Sequence, residues 1–309
     1  MMGIGISGHF DIQTVCAKTG KVRERRSFDN MILDTGLDGF WPGEFGSPVP
    51  AIGIGNSEPT PSDTGLQNLV HVSIYNYGLS AQTIAPTAPD YVSSWKKSWR
   101  IDANKYVGTI TEIGVYNWNG TACWCRALIR DENGDPSTIT ILADEYLDVT
   151  YTLNYHPELG DTNFQFEMNG ITYNGVARRA YIGTAAIGGL SGSTGRIYSM
   201  TGAGRGGMWA TQELGPITGA PSGQGVNTVL ETSTQNFPYE TGTYTKKCGF
   251  TWGLDRANVA GGIGSLVIDE GNPRACTQMS FTPKLPKDNT NTLSLVFALR
   301  VYRYTGATP

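Results

Sequence analysis

Short stretches in which apolar and polar residues alternate recur along the chain, and residues typical of turns separate them. His9–Ala17 alternates in this way, Lys18–Lys21 has the composition of a turn, and Val22–Phe28 continues the alternation. Because side chains of a strand point alternately to opposite faces, these segments predict a β-hairpin. A second hairpin is predicted around Asn169-Gly170, since this pair favours a tight turn between two strands.

Segments with the same pattern fill most of the sequence. Further strands are predicted at Ala51–Gly55, Val70–Tyr75, Tyr91–Arg100, Thr109–Trp118, Ala122–Ile129, Thr138–Leu142, Tyr146–Tyr155, Val226–Thr232, Tyr244–Trp252, Gly264–Ile268, Cys276–Phe281 and Thr292–Tyr304. Only Asp29–Phe40 reads as a short helix, with Asp29 or Asn30 as its cap. Parallel sheets need long crossovers that are usually helical, so antiparallel sheets are favoured. The pattern predicts an all-β fold of two antiparallel β-sandwich-like domains with few short helices.

The best domain boundary is His156–Asp161, where proline, glycine and acidic residues interrupt the strands. It divides the chain into an N-terminal β domain, 1–156, and a C-terminal β domain, 157–309. The two halves also share an order of segments. That order is Lys96–Trp99, Val107–Val115, Ala122–Cys125 and Tyr146–Leu153 in the first half, and Lys246–Phe250, Val259–Ile268, Ala275–Thr277 and Leu293–Tyr302 in the second. An internal duplication is one interpretation, and the general likeness of any two series of hairpins is the other.

The composition narrows the classes of function. The chain has 309 residues with 40 glycines and 16 prolines, charged residues make up only 16%, and the net charge is −4. Such a balance gives no basic field to gather phosphates, so we expect no nucleic-acid partner. A low share of charge is less suited to a free monomer than to a subunit whose surface faces other subunits. The composition therefore favours an assembly component.

The length and position of the apolar segments predict where the protein is located. No apolar run approaches the roughly 20 residues that cross a bilayer, and the segment from Met1 to Ile6 does not have the pattern of a signal peptide. The expectation is a chain that is made in a cytoplasm, without membrane insertion. Five cysteines at irregular spacing predict reduced and mostly buried thiols.

Candidate chemistry is sparse. The three histidines, His9, His71 and His156, lie far apart, and none has a partner at a spacing that predicts a metal site or a catalytic triad. Cys123 and Cys125 would place both sulfurs on one side of a strand, which is half a zinc site or, more simply, a buried pair. We expect no catalytic residue, no cofactor and no metal.

Aromatic residues are the best candidates for contact with a ligand or another subunit. Trp95, Trp99, Trp118 and Trp124 cluster in one predicted β unit. Aromatic faces can stack on sugars, but aromatic side chains also bury the most area per residue, which favours packing. Packing in the core or in an interface and stacking on a ligand are both open for these four. The Gly/Ser/Thr-rich segment Gly183–Gly225 predicts long loops that form contacts.

The first half of the chain resembles tail proteins of double-stranded DNA bacteriophages. Phe10–Val22 and Phe28–Asp38 are similar to a phrase of these proteins that reads roughly A-x-T-G … N-x-I-x-D-x-G-L, and Ile52–Leu66 is similar to a second phrase rich in glycine, proline and aspartate. The likeness continues through Ile113–Asp131 and Thr138–Tyr151 and covers most of residues 1–155. It implies a virion tail protein of the tail fibre, collar or fibre-attachment type, and it implies no catalytic residues.

The predicted function is therefore structural: a tail or collar component of a tailed-phage virion that self-associates and attaches or forms fibres, assembled in the host cytoplasm. The expected partners are further copies of the chain and other tail or portal-proximal proteins. One alternative is a receptor-binding module that recognises host surface glycans. A polysaccharide depolymerase and a capsid decoration protein are the other two.

Overall fold

The computed structural model describes residues 3–40, 48–73, 79–84, 89–181, 208–217, 219, 222, 226–229, 233–269 and 275–306. Across these residues the chain is almost entirely β with one short helix, so the predicted all-β fold is confirmed. The predicted loops at Gly183–Gly225 lie mostly outside the described residues.

The described chain forms two compact units. We name as the N-terminal unit Gly5–His156 together with Tyr302–Pro309, and as the C-terminal unit Met1–Ile4 together with Pro157–Val301. The predicted domains, 1–156 and 157–309, differ from these units at the two ends of the chain: they place Met1–Ile4 in the N-terminal domain and Tyr302–Pro309 in the C-terminal domain. Alternation of apolar and polar residues does not predict this assignment, because it does not show to which core a segment contributes.

The N-terminal unit contains most of the first twelve strands and the helix. The elements are β1 (Gly3–Cys16), β2 (Val22–Asp29), β3 (Met31–Ile32), α1 (Asp34–Phe40), β4 (Val49–Gly53), β5 (Leu69–Val72), β6 (Ser80–Ile84), β7 (Ser93–Ile101), β8 (Gly108–Ile110), β9 (Glu112–Tyr116), β10 (Cys123–Leu128), β11 (Ile139–Ile141) and β12 (Glu145–Pro157). One sheet has the order β1–β12–β7–β6, with β2 paired to β1. A second has the order β3–β10–β9–β4–β5, and β8 pairs with β11.

The core of the N-terminal unit follows from alternation on long strands. Every second residue of β12 is buried from Glu145 to Tyr155, which gives one apolar face and one polar face. The ring centroids of Phe10 and Tyr151 lie 5.1 Å apart, and Phe28 packs 6.0 Å from Phe10. A further apolar cluster contains Leu33, Val49, Ala51, Leu66, Tyr116 and Cys123.

The helix begins later than the sequence predicts. It starts at Asp34 rather than after Asp29 or Asn30, because Met31 and Ile32 form β3 and pair with β10. The backbone pairing of Met31 and Ile32 with β10 therefore prevents a helix from starting directly after the cap candidates Asp29 and Asn30. Gly36 is required where α1 meets β10, since a Cβ there would lie 2.2 Å from the carbonyl oxygen of Trp124.

The C-terminal unit contains β13 (Thr162–Met168), β14 (Ile171–Tyr181), β15 (Met208–Thr211), β16 (Val226–Val229), β17 (Ser233–Asn236), β18 (Thr245–Trp252), β19 (Ile263–Asp269), β20 (Ala275–Leu285) and β21 (Leu293–Arg303). Its larger sheet has the order β13–β14–β20–β19–β15–β16, and β17, β18 and β21 are neighbours in that order. The β13–β14 hairpin turns at Asn169 and Gly170, whose φ angles of 51° and 74° suit the tight turn of this residue pair.

The two units share an order of strand pairing. In the first unit β7 pairs with β12, and the β9–β10 hairpin lies between these two strands in the sequence. In the second unit β18 pairs with β21, and the β19–β20 hairpin lies between them in the sequence. All four pairs are antiparallel. These are the segments in which the sequence shows its internal likeness, and the duplication itself stays a prediction.

Candidate functional site

The four tryptophans selected from the sequence occupy different environments. Trp99 on β7 and Trp124 on β10 are fully buried, and Trp95 is half-buried. Trp118 is 51% exposed in the turn between β9 and β10. Hydrogen bonds shape this turn, because Asn117 accepts the backbone N–H groups of Thr121 and Ala122 through its Oδ1 at 2.8 and 3.0 Å. Trp118 is therefore the member of the set best placed to meet a ligand, and contact with a ligand or a subunit stays a prediction for all four.

A buried ionic cluster fastens the loop 54–68 to β9 and β10. Glu112 on β9 is 0% exposed and Arg126 on β10 is 3% exposed, and their Oε2 and Nη2 atoms are 3.0 Å apart. Arg126 also donates to Asp63 Oδ2 at 2.7 Å and to the carbonyl oxygen of Ser57 at 3.1 Å. The Asn68 N–H donates to Glu112 Oε1 at 3.0 Å. We name Glu112, Arg126 and Asp63 the ionic clamp.

The ionic clamp sets the protonation of Asp63. Partial burial pushes its pKa upward, but hydrogen bonds from Thr60 and the guanidinium of Arg126 outweigh this effect and hold the pKa below the ordinary aspartate value. Glycine packs tightly around Glu112, since a Cβ on Gly55 would lie 2.6 Å from its carboxyl carbon. The chemistry of the clamp is thus that of a fixed, closely packed ion pair that holds a loop.

Other carboxylates that could take part in sugar cleavage also contact arginines. Glu145 is buried with its Oε1 3.1 Å from Arg23 Nε, and Asp148 accepts two hydrogen bonds from Arg100 at 2.7 and 2.9 Å. Glycoside hydrolysis needs one carboxyl group that donates a proton and a second that acts as base or nucleophile. These carboxylates are held by guanidinium groups within the fold, and this arrangement is suited to a structural role.

Cys123 and Cys125 are both buried on β10, where the register against β9 shifts between them. Burial raises the pKa of both thiols, that of Cys125 to about 12. Thiols in this state are poor metal ligands and poor nucleophiles. Within the part of the chain that the structure describes, no group of His, Cys, Asp and Glu side chains has the arrangement of a metal site.

The β1–β2 hairpin carries a hydrogen-bond network that sequence reasoning missed. His9 lies opposite Asp29, and Asp11 lies opposite Ser27. His9 Nδ1 is 2.7 Å from Asp29 Oδ1, and His9 Nε2 is 2.8 Å from Ser27 Oγ. The predicted β1–β2 hairpin could have indicated this network, because the register of the hairpin brings these side chains together on one face.

The order serine, histidine, aspartate in this network is that of a hydrolase triad, but its hydrogen bonding differs. Ser27 donates its hydroxyl hydrogen to Asp11 Oδ1 at 2.8 Å, so the hydroxyl is not directed at the imidazole that would have to accept the proton. Asp29 is 90% exposed and interacts with His9 in water rather than in a low-dielectric site. The arrangement is suited to stabilising the hairpin by cross-strand pairs.

Two edge strands of the N-terminal unit lie in one uncharged stretch of sequence. No Asp, Glu, Lys or Arg occurs between Asp63 and Asp90. This stretch contains β5, the last strand of the five-stranded sheet, and β6, the last strand beyond β7. Exposed edge strands normally carry charges or proline, which discourage pairing with another chain.

Exposed apolar side chains accompany both strands. Ile54 and Leu69 lie together at the end of the β4–β5 pair, where the Ile54 N–H donates to the Asn68 carbonyl oxygen at 2.9 Å. Leu79 and Ile84, which flank and end β6, are 60% and 43% exposed. We name β5, β6 and these four residues the uncharged edges. Exposed apolar side chains beside a sheet edge with which no described strand pairs are typical of an interaction surface.

Comparison of the chain with protein-family models, with curated proteins and with solved structures found no match. Among the described residues, no helix has the length and apolar character needed to pass through a bilayer.

Proposed function

We propose that this protein is a non-catalytic structural component of a tailed-phage virion, a tail or collar protein that self-associates and attaches or forms fibres. Its partners are other copies of the chain and neighbouring tail or portal-proximal proteins. The resemblance of Phe10–Val22, Phe28–Asp38 and Ile52–Leu66 to phage tail phrases supports this class of protein. The all-β architecture agrees with it, because many backbone hydrogen bonds give a rigid subunit.

The observation that carries the proposal is the pair of uncharged edges. A sheet edge without charge and with exposed apolar residues promotes aggregation of a monomer, but it can form a contact between the subunits of an assembly. Arginine contacts at Glu112, Glu145 and Asp148 support the non-catalytic part of the proposal, since these carboxylates are engaged in holding the fold.

The test is to find the chain in an assembled particle. An antibody against the purified protein, detected by gold in electron micrographs of phage that carry its gene, should label the tail or collar at several copies per particle. Particles assembled without the gene should lack both the label and the tail structure that it marks. Label confined to the capsid, or absence of the chain from purified particles, would contradict the proposal.

A second candidate function, recognition of host surface glycans, is favoured by Trp118. Its exposed ring lies in a turn beside the exposed Asn119, and an exposed aromatic face is suited to stacking on a sugar. If this function is correct, Trp118→Ala should abolish signals on a glycan array that the unchanged chain gives. Leu254→Ala, at a similarly exposed apolar residue of the C-terminal unit, is the matched control and should leave those signals unchanged. No signal from the unchanged chain would exclude glycan recognition.

A further inference from the structure

We propose that β6 of one copy pairs antiparallel with β6 of another, about a twofold axis through Gln82, so that the two sheets become continuous. The inference rests on the proposed self-association and names the surface that performs it. It is carried by the contrast between β6 and the charged edges β2 and β13, by the exposure of β6, and by the geometry of identical strands.

Two edge strands, β2 and β13, carry charges that discourage pairing. The edge strands β5, β6, β16 and β17 have neither a charge nor proline, and β6 has five residues where the other three have four. β2 contains Arg23, Glu24, Arg25 and Arg26, so two copies of it would bring like charges together. β13 carries Glu167 on its exposed face. β6 reads Ser80-Ala81-Gln82-Thr83-Ile84 and has neither a charge nor proline. Identical copies of β6 therefore meet without electrostatic repulsion.

The second feature is the outer edge of β6, the side that faces away from β7. β6 pairs with β7 over five consecutive positions, from Ser80 opposite Ser98 to Ile84 opposite Ser94. Among the described residues, none forms a strand on its other side. In an antiparallel pair alternate residues direct their N–H and C=O groups toward one neighbour, and the remaining residues direct theirs away from it. Leu79 and Ile84 add apolar area at either end of this edge.

Symmetry fixes the register of the pairing. A twofold axis perpendicular to a sheet places one residue opposite its own copy and keeps the buried faces of both sheets on the same side. A slip of one residue would turn the apolar face of one copy to the polar side of the other. Gln82 is the midpoint of β6, so an axis there pairs all five residues and places Ser80 opposite Ile84 of the second copy.

The decisive experiment is a disulfide across the axis. Directly opposite residues of an antiparallel pair have Cα atoms about 4.5–5.5 Å apart, which lies within the range that a disulfide spans. Gln82→Cys in a Cys16→Ser background should form a covalent dimer under mild oxidation. Ser80→Cys in the same background is the matched control, because two copies of residue 80 would lie roughly 13 Å apart. The Cys16→Ser background alone shows whether any other cysteine forms a dimer.

A charge at the axis tests the same contact without covalent chemistry. Gln82 lies opposite Lys96 on β7, so Gln82→Glu gains an attractive pair inside the chain and should fold normally. Two copies would then face each other glutamate to glutamate, and the dimer dissociation constant measured by analytical ultracentrifugation should rise at least about tenfold. An equimolar mixture of Gln82→Glu and Gln82→Lys should restore the association. Gln165→Glu, on the edge strand β13, should change nothing.

The outcomes separate this inference from the proposed function. A dimer that forms through residue 82, in a protein absent from virions, would leave the inference standing and remove the proposed function. Self-association that persists in Gln82→Glu, without cross-linking at residue 82, would remove the inference and leave the tail role intact. Cross-linking through residue 80 in place of residue 82 would also overturn the inference, because it requires another register.

Discussion

Each unit fastens a loop to its sheet through a buried polar side chain, but the two side chains differ in charge. In the N-terminal unit the ionic clamp of Glu112, Arg126 and Asp63 holds the loop 54–68. In the C-terminal unit the neutral Gln278 accepts the Gly215 N–H at 2.9 Å and donates to the Pro216 carbonyl oxygen at 2.8 Å. The same mechanical task is performed by an ion pair in one unit and by an amide in the other.

This difference in charge predicts how strongly a substitution destabilises each loop. A buried guanidinium needs a buried carboxylate, and the removal of either partner leaves an uncompensated charge. An amide combines donor and acceptor in one side chain, so its loss leaves only neutral groups unsatisfied. The N-terminal loop should therefore depend more strongly on single substitutions and on pH than the C-terminal one.

The largest effect is expected from Arg126→Met. It leaves Glu112 buried without its partner and should lower the free energy of unfolding of the N-terminal unit by about 3–5 kcal/mol, measured by urea denaturation of the full chain. The double variant Arg126→Met with Glu112→Gln removes the orphaned charge and should recover at least half of the loss. A double variant no more stable than the single one would show that charge is not the cause.

The next effect is expected in the other unit. Gln278→Leu leaves the Gly215 N–H and the Pro216 carbonyl without their partner, and should cost about 1–3 kcal/mol of unfolding free energy in the same assay. Gln165→Leu is the matched control, because Gln165 is exposed on β13 and its replacement should change stability by less than about 0.5 kcal/mol. A loss at Gln278 as large as that at Arg126 would remove the contrast between the units.

Acid should loosen the N-terminal loop selectively. The pKa of Asp63 is lower in the folded chain than in the unfolded chain, so its contribution is fully present above the unfolded pKa and is lost as the pH falls through the folded pKa, below about pH 4. The free energy of unfolding of the N-terminal unit, followed from pH 6 downward, should fall less steeply in Asp63→Asn than in the unchanged chain. The Gln278→Leu variant should keep the steep dependence. Equal slopes with and without Asp63 would contradict this assignment.

The smallest effect is expected at Arg130, which pairs with Glu58 at 2.5 Å on the surface of the same loop. Both side chains reach water, so Arg130→Ala should change the free energy of unfolding by less than about 1 kcal/mol. The comparison with Arg126→Met tests burial directly, because both arginines bind carboxylates of the loop 54–68. A large loss at Arg130 would mean that ion pairing matters here irrespective of burial.

Much of the fold could be predicted from the sequence because it depends on local pattern. Alternation predicted the β1–β2 hairpin, and the Asn169-Gly170 pair predicted the turn between β13 and β14. The β8 and β9 strands were predicted as one, Thr109–Trp118, because alternation continues across them. They are separate because β8 pairs with β11 while β9 pairs with β10 and β4, and the identity of a strand's partner is not written in its own residues.

The candidate site shows the same limit. The sequence selected tryptophans for their chemistry, yet burial of Trp99 and Trp124 and exposure of Trp118 depend on which strands cover them. The uncharged stretch between Asp63 and Asp90 is visible in the sequence, but only the sheet order makes β5 and β6 edges. Alternation is a local property and fixes what each strand can be. Pairing brings together residues far apart in the chain, so the tertiary structure alone decides which strands lie at a sheet edge and which charges are paired.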